Sequence, residues 1–151
     1  MEEGSTTSSF PVQQFSIMLE NRVGALASLV RLLNDNLVEV LGLSVQDSSD
    51  VTVVRLVVSD SETTETLLIE KGISFGMCDL AVVELREGPA SLGKCLRALL
   101  EAETNIYFSF PLMIQADNCC ALAFRLDDTE FGITALQNCG FKVLFQNDLA
   151  R

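Results

Sequence analysis

Histidine and tryptophan are absent from this 151-residue sequence, tyrosine occurs once and proline three times. Histidine is the side chain most used as a general base near neutral pH and as a metal ligand, so its absence removes the usual carrier of those chemistries. No Gly-rich phosphate loop, nucleophile elbow or recognisable carboxylate pair takes its place, and the sequence therefore reads as non-catalytic, with no metal and no cofactor.

Positive charge is also scarce. Ten Lys and Arg stand against twenty-one Asp and Glu, a formal net charge of −11, and the basic residues are scattered. A phosphate backbone would be repelled over most of such a surface, so nucleic acid is not an expected partner. No apolar run approaches the roughly 20 residues that span a bilayer, and Met1 to Ser9 is acidic and Ser/Thr-rich, unlike a signal peptide. The expected compartment is the cytoplasm, with no membrane partner. Cys78, Cys95, Cys119, Cys120 and Cys139 are odd in number and make no Cys-x-x-Cys pair, so they are expected to be small, buried, reduced core residues. A thiol nucleophile at Cys78 or Cys120 would need an activating base that the sequence does not advertise.

What is present is enough apolar surface, 48% of residues, for one core or two small cores sharing an interface. Leu26, Leu29, Val30 and Leu33 fall at i, i+3, i+4 and i+7, which predicts a helix over residues 23–36. Leu92, Cys95, Leu96 and Leu99 repeat that spacing sixty-six positions later, in a helix opened by Pro89. β-rich runs follow both helices, over 36–47 and 104–117, and then a second strand, over 51–58 and 120–126. Ser59 to Glu62 and Asp127 to Glu130 supply oxygens that suit a helix start, and Gly72 and Gly140 suit its end. Closing strands are predicted over 74–78 and 141–146, and opening strands over 14–19 and 80–85.

Each half thus reads strand, helix, strand, strand, helix, strand, a ferredoxin-like βαββαβ unit in an α+β chain with helices on one face of an antiparallel sheet. The units are expected over residues 12–78 and 79–149. The stretch "FGMCDLAVVEL" passes from one to the other without a Pro/Gly-rich linker, so the units should pack against each other.

With "ENRVGALASLVRLL" following an apolar strand, this order of elements resembles a tandem ACT-domain protein over Gln14 to Leu149. The stretches "LAVVELREGPASLGKCLRALLEAETNIYFSF" and "ALAFRLDDTEFGITALQNCGFKVL" are similar to the second half of the small stand-alone two-ACT proteins. The resemblance implies allosteric regulation, in which a small ligand, usually an amino acid, binds between ACT units and acts on an enzyme of amino-acid biosynthesis.

The turn Asn21-Arg22-Val23-Gly24-Ala25-Leu26 is the expected binding loop. Gly24 permits close backbone approach, first-turn N–H groups around Ala25 and Leu26 suit a carboxylate, and Asn21 offers both a donor and an acceptor. In the family pattern the facing wall is the second strand of a neighbouring unit, where Asn105-Ile106 fits and the first unit has Leu37-Val38; Tyr107 follows on the same strand. The reciprocal loop, Arg86 to Ser91, has Ala90 where the aligned helix has Gly24. Arg55 and Arg125, at matching positions in two apolar strands, are expected on the sheet face opposite the core-facing side chains, in a solvated or helix-facing salt bridge, and the aromatics Tyr107, Phe108 and Phe110 in packing between units. Two functions follow from these residues: an amino-acid-binding regulator, expected as a homodimer, or a ligand-free dimerisation or accessory-subunit module. Asn21 and Asn105 favour the first, because a purely structural interface has no need of them.

Overall fold

The computed structural model describes residues 10–20, 24–116 and 119–150. The chain runs β1 (Val12–Glu20), α1 (Ala25–Asp35), β2 (Val40–Asp47), β3 (Val51–Val58), α2 (Ser61–Glu70), β4 (Phe75–Leu85), α3 (Pro89–Glu101), β5 (Ile106–Ala116), β6 (Cys119–Leu126), α4 (Thr129–Asn138), β7 (Val143–Leu144) and α5 (Gln146–Leu149). The predicted repeat is present, with mixed α/β order and antiparallel pairing throughout.

The closing strand of the first half and the opening strand of the second are one continuous strand. β4 pairs with β1 through Phe75 to Leu80 and with β7 through Val82 and Val83, while β6 pairs through Ala81 to Leu85. A single sheet in the order β2-β3-β1-β4-β6-β5 results, with β7 added on β4. Residues 78 and 79 both lie inside β4.

Alternation along the strands sorts side chains into three cores. Phe15, Ile17, Val54 and Leu56 pack under α1 and α2 with Leu29, Leu33 and Leu68. Ala81, Val83, Phe124 and Leu126 pack under α3 and α4 with Cys95, Leu99 and Leu136. The opposite sheet face closes on itself, burying Val12, Val57, Leu80, Val82, Phe110, Leu112 and Ala123 between the halves. The end strands β2 and β5 meet there, where a Cβ on Gly42 would run into Leu112 and lie 3.2 Å from the Phe110 ring.

The helix signals act as expected. Asp60 and Asp128 cap α2 and α4, accepting from Thr63 N at 3.0 Å and Phe131 N at 3.1 Å, and Gly72 and Gly140 close those helices at φ 70° and 88°. Three expectations change. The second closing strand is two residues long and yields to α5, whose Leu149 drops into the inter-sheet core. Cys95 is buried and Cys78 half-buried, but Cys120 and Cys139 are exposed: small size alone does not bring a thiol inside. Arg55 and Arg125 do lie on the face away from the helices, but the hydrogen-bond partners they have among the described residues are neutral oxygens. Arg55 donates to Gln46 Oε1 at 3.1 Å and lies 4.3 Å over the Phe108 ring; Arg125 donates to the Leu126 carbonyl at 3.0 Å. Phe108 and Phe110 pack between the halves with ring centroids 6.3 Å apart, as expected, while Tyr107 is 62% exposed.

Candidate functional site

Asn21, Arg22 and Val23 lie outside the described residues, so the binding loop is seen from its second half. Gly24 has φ 90° and ψ −13°, a left-handed conformation costly to side-chain-bearing residues. It stands directly before α1, with Ser28 N bonded to the Gly24 carbonyl at 2.9 Å. As N-cap it brings no side chain to the first turn of α1. The positive end of the helix dipole therefore faces outward without a side-chain oxygen from the cap.

That helix start borders a groove of 850 Å³, lined by Glu20, Gly24, Ala25, Ser28, Lys71 and Ser74 over the apolar Met18 and Leu29. Antiparallel pairing of β1 with the start of β4, Ile17 opposite Phe75, carries the turn after α2 to this place. The left-handed Gly72 bends that turn so that Lys71 and Ser74 flank the groove. The helix start and Lys71 bring positive groups to the lining, Glu20 brings a carboxylate, and the floor is apolar, an arrangement suited to a small molecule with both a carboxylate and an ammonium. Sequence reasoning missed Lys71 and Ser74, because nothing local says that the loop after α2 lies beside the start of α1.

The reciprocal turn is closed on itself. Pro89 has no N–H, Ala90 N and Ser91 N donate to the Glu87 and Gly88 carbonyls at 3.3 and 3.0 Å, and Ser91 Oγ accepts from Glu87 N at 3.1 Å. Few donors remain there for a ligand.

Asn105 and Tyr107 are not among the groove residues of the same chain. Asn105 N and Nδ2 donate to the two carboxylate oxygens of Asp127 at 3.2 and 3.1 Å, tying the start of β5 to the end of β6. In the first half Glu39 makes the equivalent tie: its N donates to Ser59 Oγ at 2.9 Å and its carbonyl accepts from Ser59 N. The counterpart of Asn105 is therefore Glu39 and not Leu37, and the first half has a polar residue at this position. The left-handed residues Leu37 (φ 61°) and Glu103 (φ 55°), one per half, set that register. Among the described residues no group of three or more Cys, Asp or Glu is placed to hold a metal ion.

The family described as an ACT domain pair matches residues 10–150. No curated protein matches the sequence. A protein of known structure from Bacteroides thetaiotaomicron shares 21% identity and a TM-score of 0.84, over 94% of this chain and 97% of that one. The regulatory subunit of aspartate kinase from Thermus thermophilus, in its ligand-free form, shares 13% identity and a TM-score of 0.59, over 91% and 98%. Aspartokinase III from E. coli, in complex with aspartate and ADP, shares 20% identity and a TM-score of 0.51, over 86% of this chain and 31% of that one. At these identities the likeness is one of fold.

Proposed function

The chain belongs to the ACT domain pair family, and from that premise we propose that it is a non-catalytic regulatory protein, made of units 12–78 and 79–149 that share β4, which binds an amino acid at the start of α1. The observation that carries this reading is the groove beside Gly24, where an α-carboxylate would meet the first turn of α1 with Lys71 on the flank. Asn21 binds the ammonium and carboxylate of the ligand. Asn105 and Tyr107, on a strand start outside the groove, complete the pocket from a second copy of the chain, which makes the working form a homodimer. Binding then favours one arrangement of the units over another, by as much as its affinity differs between them, and an enzyme of amino-acid metabolism in the cytoplasm reads that change.

A thermal-shift series with each of the twenty amino acids at millimolar concentration tests it, since a ligand at 100 times its dissociation constant adds about 2.7 kcal/mol of stability. At least one amino acid is expected to raise the melting temperature of the wild type and to lose that effect in Asn21→Ala and Lys71→Ala. No shift with any of the twenty would leave the ligand-free dimerisation or accessory module as the better reading.

A further inference from the structure

One side of α3 is apolar and uncovered. Leu92, Leu96 and Leu100 are i, i+4 neighbours, so they form a stripe along the helix, and they are 37%, 41% and 74% exposed. The first half shows that the fold does not require such a stripe: sixty-six positions earlier, on α1, Leu26 and Val30 are half-buried and Asn34 ends the row. Exposed leucines on three successive turns mark a surface suited to contact with another molecule.

The same helix exposes both signs of charge without using them inside the chain. Among the described residues the side chains of Lys94, Arg97 and Glu101 form no ion pair and no hydrogen bond. The two cations stand in the middle of α3 and the carboxylate in its last turn. Gly93, three residues before Leu96 and four before Arg97, is a poor helix former in a helix interior. A Cβ built on it meets nothing within 4 Å, so no contact of the chain's own calls for glycine there. On the outside of a helix, a residue without a side chain lets a second backbone come close.

We propose that this face associates with itself, α3 of one copy crossing α3 of a second copy antiparallel about a two-fold axis at Leu96. Such a contact is isologous and closes on a dimer. The leucine spacing is symmetric about Leu96, so the axis lays Leu96 on Leu96 of the second copy and Leu92 on its Leu100. A rise of about 1.5 Å per residue then places Lys94 about 4.5 Å along the helix from Glu101 of the second copy, within reach of two long side chains. Arg97 falls beside Gly93 of the second copy, where no side chain obstructs it. A parallel crossing would set Lys94 against Lys94 and Glu101 against Glu101, so the order of charges selects the antiparallel one. The groove at α1 lies on the helix layer of the first half and takes no part, and the contact requires no ligand there.

Mild oxidation of Leu96→Cys, in a chain that also carries Cys120→Ser and Cys139→Ser, tests the contact at its axis. Peptide mapping is expected to find residue 96 linked to residue 96 of a second copy, and Thr66→Cys, at an exposed position of α2, unlinked in the same background. Sedimentation velocity follows the association itself. The wild type is expected as a dimer, weakened at least about tenfold by Leu96→Glu and about threefold by Lys94→Glu, the second loss being regained when Glu101→Lys is added to Lys94→Glu. Unfolding midpoints confirm that the variants are folded. A wild type that stays monomeric up to about 100 µM overturns the proposal. So does a dimer that Leu96→Glu leaves intact, the result expected if the copies are held only by the contact that brings Asn105 to the groove. Linking at residue 66 as readily as at residue 96, or a double variant no tighter than Lys94→Glu, overturns it too.

Discussion

Gln146 Nε2 donates to the Val58 carbonyl at 3.1 Å, a buried hydrogen bond that joins the last turn of the chain to the end of β3, eighty-eight residues earlier. The same amide accepts from Gln13 N at 3.0 Å through its Oε1, and the Gln146 backbone N donates to the Phe10 carbonyl at 3.2 Å. One side chain thus satisfies main-chain groups on β1 and β3 of the first half from a helix of the second.

Gln146→Ala leaves the Val58 carbonyl buried without a donor and frees Gln13 N, and the expected loss is about 2–3 kcal/mol of unfolding free energy. Urea denaturation checks it, with the exposed neighbour Asn147→Ala as the comparison, expected within about 0.5 kcal/mol of wild type. A Gln146→Ala protein as stable as wild type would show that the halves are held together by the inter-sheet core alone.

At the other end of the seam Gly42 stands where the end strands β2 and β5 meet. A methyl group there overlaps Leu112 and presses on Phe110 and on Val57 at 3.3 Å, so Gly42→Ala is expected to cost about 1–3 kcal/mol through overpacking. The double variant Gly42→Ala with Leu112→Ala separates strain from other causes. Strain relieved by the smaller partner makes the two changes less than additive, and additive losses would speak against close packing of these strands.

The helices, their caps and the repeat were legible in the sequence because each rests on residues a few positions apart. Leu29 and Leu33 define a buried face, Asp60 and Asp128 start helices, and Gly72 and Gly140 end them. What was not legible depends on neighbours distant in sequence. The strand over 74–78 and the strand over 80–85 are each convincing alone, and nothing local says that they form one β4 with partners on both edges. Asn105 was aligned with Leu37 because both follow a helix, whereas the tie of Glu39 to Ser59 reveals the true register. In the groove Gly24 carried a signal of its own, and Lys71 enters only through the pairing of β1 with β4.

The N-cap of α2 makes stability depend on acid. Thr63 N and, next, the Thr63 hydroxyl donate to the Asp60 carboxylate and hold it below its ordinary value of 3.8. A carboxyl lowered in the folded state contributes its full stability above the unfolded value and loses it as pH falls below 3.8 through the folded one. Asp60→Ala and Asp128→Ala are each expected to cost about 1 kcal/mol at neutral pH. For Asp60→Ala the deficit should shrink towards zero on titration to strongly acidic pH, where wild type loses the same cap; a deficit independent of pH would assign the cost to packing instead.

The thiols separate by surroundings. Cys120 and Cys139 are exposed and are expected to react first with a maleimide at neutral pH. Burial pushes the Cys95 thiol up to about 11 from the ordinary 9.0, and at Cys78 burial outweighs the opposing pull of Arg125, so both remain protonated and slow. A thiol raised in the folded state keeps its proton where the unfolded chain has lost it, so the Cys95 contribution to stability is complete below pH 9.0 and disappears as pH rises to about 11. Cys95→Ala removes this dependence at the expense of a small cavity. The measurement is the slope of unfolding free energy against pH between those values, expected to be negative for wild type and flatter for the variant. Equal slopes would mean that other groups govern the alkaline limb.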